Sequence, residues 1–116
     1  MMPSYIVRLD DGPVAYYLEW STIVDAPITY GTNREEFERE YCKRHGADGA
    51  SGLPDRMARV DAKGTSSRIH DNADDVIGFN RAGANETCLS RDQIIEFYCR
   101  NQGESERPKG RRLEAE

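Results

Sequence analysis

Three short stretches of the chain gather residue types that could do chemistry. Cys42 and His45 stand at C-x-x-H spacing, one helical turn apart, which would set two zinc ligands side by side. A structural zinc site takes four such ligands, and the one other histidine is His70, while Cys88 and Cys99 have no ligand type close by. No metal is therefore expected, and Cys42 reads as a packed thiol beside a helix-end histidine. The second stretch is His70-Asp71-Asn72-Ala73-Asp74-Asp75, the densest group of acids and imidazole. Counted from Asp71, a calcium loop would want an oxygen ligand at Ala73 and glycine at Val76, so the pattern fails. It reads instead as solvated acids at a helix start.

The third stretch, Lys63 to Arg68 (KGTSSR), offers hydroxyls, a glycine and two cations, and with Arg56 and Arg59 upstream it is a locally basic part of the sequence. A phosphate-cradling P-loop places its lysine after the glycines, whereas here the order is inverted and no alternating strand leads in. Lys63, Thr65, Ser66 and Arg68 are kept as an alternative anion site, against the plainer reading of a solvated loop. No G-x-S-x-G elbow is present, and two histidines give no motif for a Ser-His-Asp or Cys-His arrangement. No catalytic residue and no cofactor are assigned.

The elements that must position these residues begin with a hairpin. In Val14 to Trp20 the even positions Val14, Tyr16, Leu18 and Trp20 are apolar, and the odd ones are Ala15, Tyr17 and Glu19, which is strand periodicity with one buried face. Ser4 to Asp10 alternates likewise, and Asp10-Asp11-Gly12-Pro13 between them is hairpin-turn chemistry. The strand is expected to run on through Ile23 and Val24 until Asp25-Ala26-Pro27 stops it. Trp20 reads as core. Tyr17 and Glu19 point to the other face, where a partner would be met if that face is open, and Asp25 serves equally as turn cap or contact.

Thr32 to Glu35 has capping-box spacing and predicts a helix from about 33 to 45, acidic at its start and basic at its end, closed by Gly46. Gly46 to Gly52 (GADGASG) predicts a mobile loop, followed by a short helix from Pro54 to about Val60. Asn72 with Asp75 predicts a brief helix through Val76, Ile77 and Phe79. Ser90 to Gln93 is a second capping box, with Leu89 placed as a hydrophobic staple to Ile94, and predicts the clearest helix, 91 to 101. The tail 102–116 has no apolar period and reads as disordered, leaving 1–101 as one globular domain. The class expected is α+β: a small antiparallel sheet led by the hairpin, covered on one face by the helices at 33–45 and 91–101.

Composition bounds the function. With 116 residues and a 37% apolar fraction the chain builds one lean core, and no run approaches the ~20 apolar residues of a membrane span. Met1 to Leu9 lacks a basic start followed by a long apolar run, so no secretory signal is expected. Three cysteines without paired spacing point to a reducing cytoplasm. The net charge is −5, and because four acids balance four bases from Gln102 onward, the excess lies on 1–101. Direct binding of nucleic acid or anionic membrane is disfavoured; a basic protein partner suits this charge.

At YYLEWSTIVDAPITYG (Tyr16 to Gly31), KGTSS (Lys63 to Ser67) and NRAGANE (Asn80 to Glu86) the chain resembles a group of short bacteriophage- and prophage-borne proteins with no assigned chemistry. The resemblance implies an accessory factor in the cytoplasm of a bacterial host, of the kind that binds and blocks host proteins, CRISPR components included. The function expected is a non-catalytic, anti-CRISPR-like inhibitor that occludes a basic or nucleic-acid-binding host protein. Its contacts would be Asp10, Asp11, Tyr17, Glu19, Asp25, Glu36 and Glu40. The alternative is a small phosphate-ligand or nucleotide-binding protein using the Lys63–Arg68 loop. A third reading, a virion assembly or scaffold component, predicts self-association, of which a homodimer is the simplest form.

Overall fold

The computed structural model describes residues 4–104 and 106–112. Two eight-residue strands, β1 (Ser4–Asp11) and β2 (Val14–Ser21), pair antiparallel, and a short β3 (Ala26–Pro27) pairs with the end of β2, giving the order β1-β2-β3. The reversal between β1 and β2 is a two-residue turn in which Gly12 adopts φ 62°, a conformation that costs glycine little and other residues much. The hairpin-led α+β architecture is thus the one the alternation predicts.

Both faces of this sheet are covered, where the sequence suggested one. Val7, Leu9, Leu18 and Trp20 pack with Ile94, Ile95, Phe97, Tyr98 and Cys99 in one core. Ile6 and Tyr17, on the opposite pleat, pack with Phe37, Tyr41, Leu53, Met57 and Val60 in a second. The odd positions of β2 looked too polar for a core face, yet a helical layer with few apolar residues finds enough in Ile6 and Tyr17 to dock. Tyr17 and Glu19 consequently lie under helix and not on an open surface.

That layer is α1 (Arg34–Lys63), capped by Asn33, whose side chain accepts from the Glu36 amide, and ended by Gly64 at φ 87°. Its continuity is only nominal. Gly46 sits at φ 68°, ψ −157°, and Arg34 Nη1 reaches Asp61 Oδ1 at 2.6 Å. In a straight helix residues that far apart in sequence would stand roughly 40 Å apart at ~1.5 Å per residue. The chain therefore reverses at Gly46 into a helical hairpin. The loop expected over 46–52 shrinks to one residue, because Gly49 lets the returning arm pass close over His45: a Cβ on it would lie 2.2 Å from the His45 Cβ.

On the other face, α2 (Ala73–Ile77) is capped by Asn72 as its spacing with Asp75 predicts, but it stops before Phe79, whose side chain is exposed and lies under the Arg111 guanidinium at 5.9 Å. Next comes α3 (Arg91–Ile94), opened by the full Ser90–Gln93 capping box and continued by a π-helical turn (Ile95–Arg100) in which the Asn101 amide bonds Glu96 O. The wider turn puts Ile95, Phe97, Tyr98 and Cys99 all in the core. Gly31 fits against it because a Cβ there would meet Cys99 Sγ at 2.5 Å.

The tail expected to be disordered is partly docked. Cys88 and Arg111 exchange two backbone hydrogen bonds, the Ala84 amide bonds Pro108 O, and the Gly110 amide bonds Thr87 Oγ1. The backbone partners that order 106–112 lie at 84–89 and leave no apolar period in the tail itself. Residues 105 and 113–116 lie outside those described. Among the described residues no helix is long and apolar enough to cross a membrane.

Candidate functional site

Glu19 is 0% exposed, the most deeply buried charged side chain among the described residues. It accepts from Ser4 Oγ at 2.8 Å and from Arg44 Nη2 at 2.7 Å, and His45 Nε2 lies 3.0 Å from its second oxygen. Burial works to raise its carboxyl pKa, but the hydrogen bonds from Arg44, Ser4 and His45 together hold it below the ordinary 4.5. Arg44 and His45 immediately precede the reversal at Gly46, so Glu19 fastens the tip of the helical hairpin to the sheet. A buried charge with every bond met is a structural clamp. Cys42 and His45 do not form half of a zinc site: His45 belongs to Glu19, and among the described residues no three metal-ligating side chains converge.

The Lys63–Arg68 loop is not an open phosphate cradle. Gly64 O accepts from the Arg8 amide, the Ser66 amide donates to Ile6 O, and Ser66 Oγ accepts from the Ile6 amide at 2.8 Å. Thr65 is buried and bridges Val7, while Lys63 Nζ donates to His70 O at 2.7 Å. The loop backbone, with Ser66 Oγ, thus closes the outer edge of β1 as a mimic of another strand, and Arg68 alone of the four residues is exposed. Ser67 Oγ meets His70 Nδ1 at 2.7 Å, but the serine is buried and accepts from the amides of Ile69 and His70, so it is a turn device, not a nucleophile.

The acids proposed as one contact surface are dispersed. Asp10 and Asp11 sit at the hairpin turn, where Asp10 pairs with Arg8 and Asp11 is gripped by both ends of the Arg100 guanidinium, a bond that holds its carboxyl below the usual value. Asp25 lies beyond the other end of β2, roughly 20 Å away at ~3.4 Å per strand residue. Glu36 and Glu40 ride the outgoing arm of α1, Glu40 beside Lys43 at 3.8 Å. With Tyr17 and Glu19 buried, no single acidic face gathers these seven residues.

What the structure does expose is apolar. Ile23 (73% exposed), Val24 (53%), Ile28 (44%) and Tyr30 (46%) are four of the seven large apolar residues left in solvent among the described residues, and all come from the segment joining β2 to α1. Asp25 turns this segment at φ 55°, its carbonyl accepting from the Arg81 amide at 2.8 Å. Aspartate tolerates that left-handed conformation better than most residues, so Asp25 is the turn residue that sets Ile23 and Val24 outward. Beside them runs a groove of about 690 Å³ lined also by Pro27 and Tyr98, with Arg81, Glu86 and Arg107 along it. The edge strand β3 carries Pro27, which offers no donor for a further strand, so a partner here would meet side chains. The sequence suggests a strand running on through Ile23 and Val24, whereas β2 ends at Ser21; the available signal is Asp25-Ala26-Pro27, which ends the pleat and frees those side chains from it.

Comparison of the chain with protein-family models, with curated proteins and with solved structures returned no match.

Proposed function

We propose that this is a non-catalytic, phage-encoded protein that blocks a basic host protein by occlusion, in an anti-defence role, and that the partner covers the ridge Ile23–Tyr30. The observation that carries the reading is the ridge itself. Ile23, Val24, Ile28 and Tyr30, four large apolar side chains of one connecting segment, are exposed, and Ile23 and Val24 line a groove with a charged rim, the composition of a protein-contact surface. Burying an aliphatic side chain of this size contributes about 1.5–3 kcal/mol, so a few such contacts supply most of a useful affinity. The net charge of −5 favours encounter with a basic partner, while Asp10 and Asp11, engaged by arginines of the same chain, contribute to that field and not to contact. The resemblance to phage-borne accessory proteins supplies the biological setting. Engagement of the Ser67–His70 pair and of Glu19 in structural bonds agrees with a binding role.

The test is capture from host lysate by the tagged chain, followed by reconstitution with the purified partner. A 1:1 complex lost in the Ile23→Asp, Val24→Asp double variant supports the reading. Equal capture by both chains, or concentration-dependent self-association through the same ridge, overturns it; the second outcome would mark an assembly component.

A further inference from the structure

Six of the thirteen arginines are ion-paired among the described residues. Arg8, Arg34, Arg44, Arg81, Arg91 and Arg100 each meet a carboxylate. Arg56, Arg59 and Arg68 are among those with no ion pair in the described residues, although acids outnumber lysines and arginines 21 to 16, and they are the ones that converge. These three line one groove of about 420 Å³, between the returning arm of α1 and the loop after it, on the sheet edge opposite the apolar ridge. Arg56 and Arg59 are one helical turn apart and share a face. Arg59 donates Nε to Ser66 O at 2.7 Å, which fixes its guanidinium while leaving both terminal nitrogens free to donate. Asp55 is the one carboxylate in the lining, so the groove carries an excess of two positive charges in an acidic protein.

Like charges gathered in a concave site repel unless an anion joins them, and the forked donors of arginine match phosphate oxygens. The geometry points to a binding site for a phosphate-bearing small molecule in this groove, with Arg56 and Arg68 as the principal ligands to the dianion and Arg59 as a fixed third. A volume of about 420 Å³ lies in the range of small-molecule pockets and admits more than the phosphate. Tyr5 lines one part of the groove and Ile69, 80% exposed, its rim, which gives an attached ring or sugar an apolar wall. The acidic body around the groove disfavours an extended polyanion, so the ligand is a monoester and not a nucleic acid strand. This site is separate from the protein-binding ridge and does not depend on it.

The full chain is titrated with inorganic phosphate, AMP and adenosine at constant ionic strength and followed by amide NMR shifts. Saturable shifts at residues 52–59 and 66–69 with AMP or phosphate, and none with adenosine, are expected. Tighter binding of AMP assigns a phosphate ester, and equal binding assigns phosphate itself. An Arg56→Gln, Arg68→Gln variant should weaken binding at least about tenfold, the loss of one charge-assisted hydrogen bond or more. Unchanged shifts away from the groove show that this variant is folded, and Arg56→Lys, which keeps the charge but not the fork, should fall between it and the native chain. Absence of saturation with both phosphate ligands, adenosine binding equal to AMP, or full affinity in the double variant overturns the assignment.

Discussion

Two places in this molecule invert the usual sorting of residues, and they lie close together in sequence. At Glu19 a charge is inside; at Ile23, Val24, Ile28 and Tyr30 large apolar groups are outside. The difference lies in what surrounds each. Glu19 has hydroxyl, guanidinium and imidazole within hydrogen-bond distance, so its anomaly is answered within the chain. The ridge has no such answer among the described residues. A satisfied inversion belongs to the fold, and an unsatisfied one is where function is sought.

If that contrast is sound, changes at the two places should separate stability from binding. Glu19→Ala has the largest expected effect on stability, a loss of about 2–4 kcal/mol, toward the lower end of what severing a buried ion pair costs because Arg44 can turn to water. Chemical denaturation would read it, and a variant that still folds should keep its partner. Gly46→Ala should cost about 1–3 kcal/mol by backbone strain alone, since space for a methyl is open there but φ 68° with ψ −157° suits glycine. The loss would show in the same denaturation curves.

Acid gives a subtler probe of the clamp. The folded-state carboxyl of Glu19 titrates below its unfolded value near 4.5, so its contribution is fully present above that pH and is lost as pH falls through the folded value. Melting temperature followed from pH 6 to pH 3 should fall more steeply for the native chain than for Glu19→Gln. Parallel curves would show that the network does not hold the proton off.

How much of this was legible in the sequence follows from the range of the interactions. Period-two alternation and the Asp11-Gly12 turn are local, and they placed the hairpin and the Trp20 core face. The Ser90–Gln93 box and the Asn72 cap are local too, and both stand. The Glu19 clamp was not legible, because Arg44 and His45 are on another element and only the reversal at Gly46 brings the hairpin tip over β2. Gly46 itself was read correctly as a helix end; that the helix resumes at once depends on Gly49 packing against His45, which no periodicity encodes. The Lys63–Arg68 loop showed its residue types but not that its backbone and Ser66 Oγ would close the β1 edge. The groove arginines Arg56 and Arg59 were visible as a basic stretch, and the fold supplied their convergence with Arg68.

The smallest expected effect on stability is at the ridge. Exchanging Ile23 and Val24 for aspartate removes little buried area and should change unfolding free energy by no more than about 0.5 kcal/mol. The decisive measurement is therefore partner binding by this Ile23→Asp, Val24→Asp chain at matched stability, read by calorimetry with the captured host protein. Loss of binding in a chain that melts like the native one is the expected result. Native affinity in the variant would contradict the assignment of the exposed ridge as the contact surface.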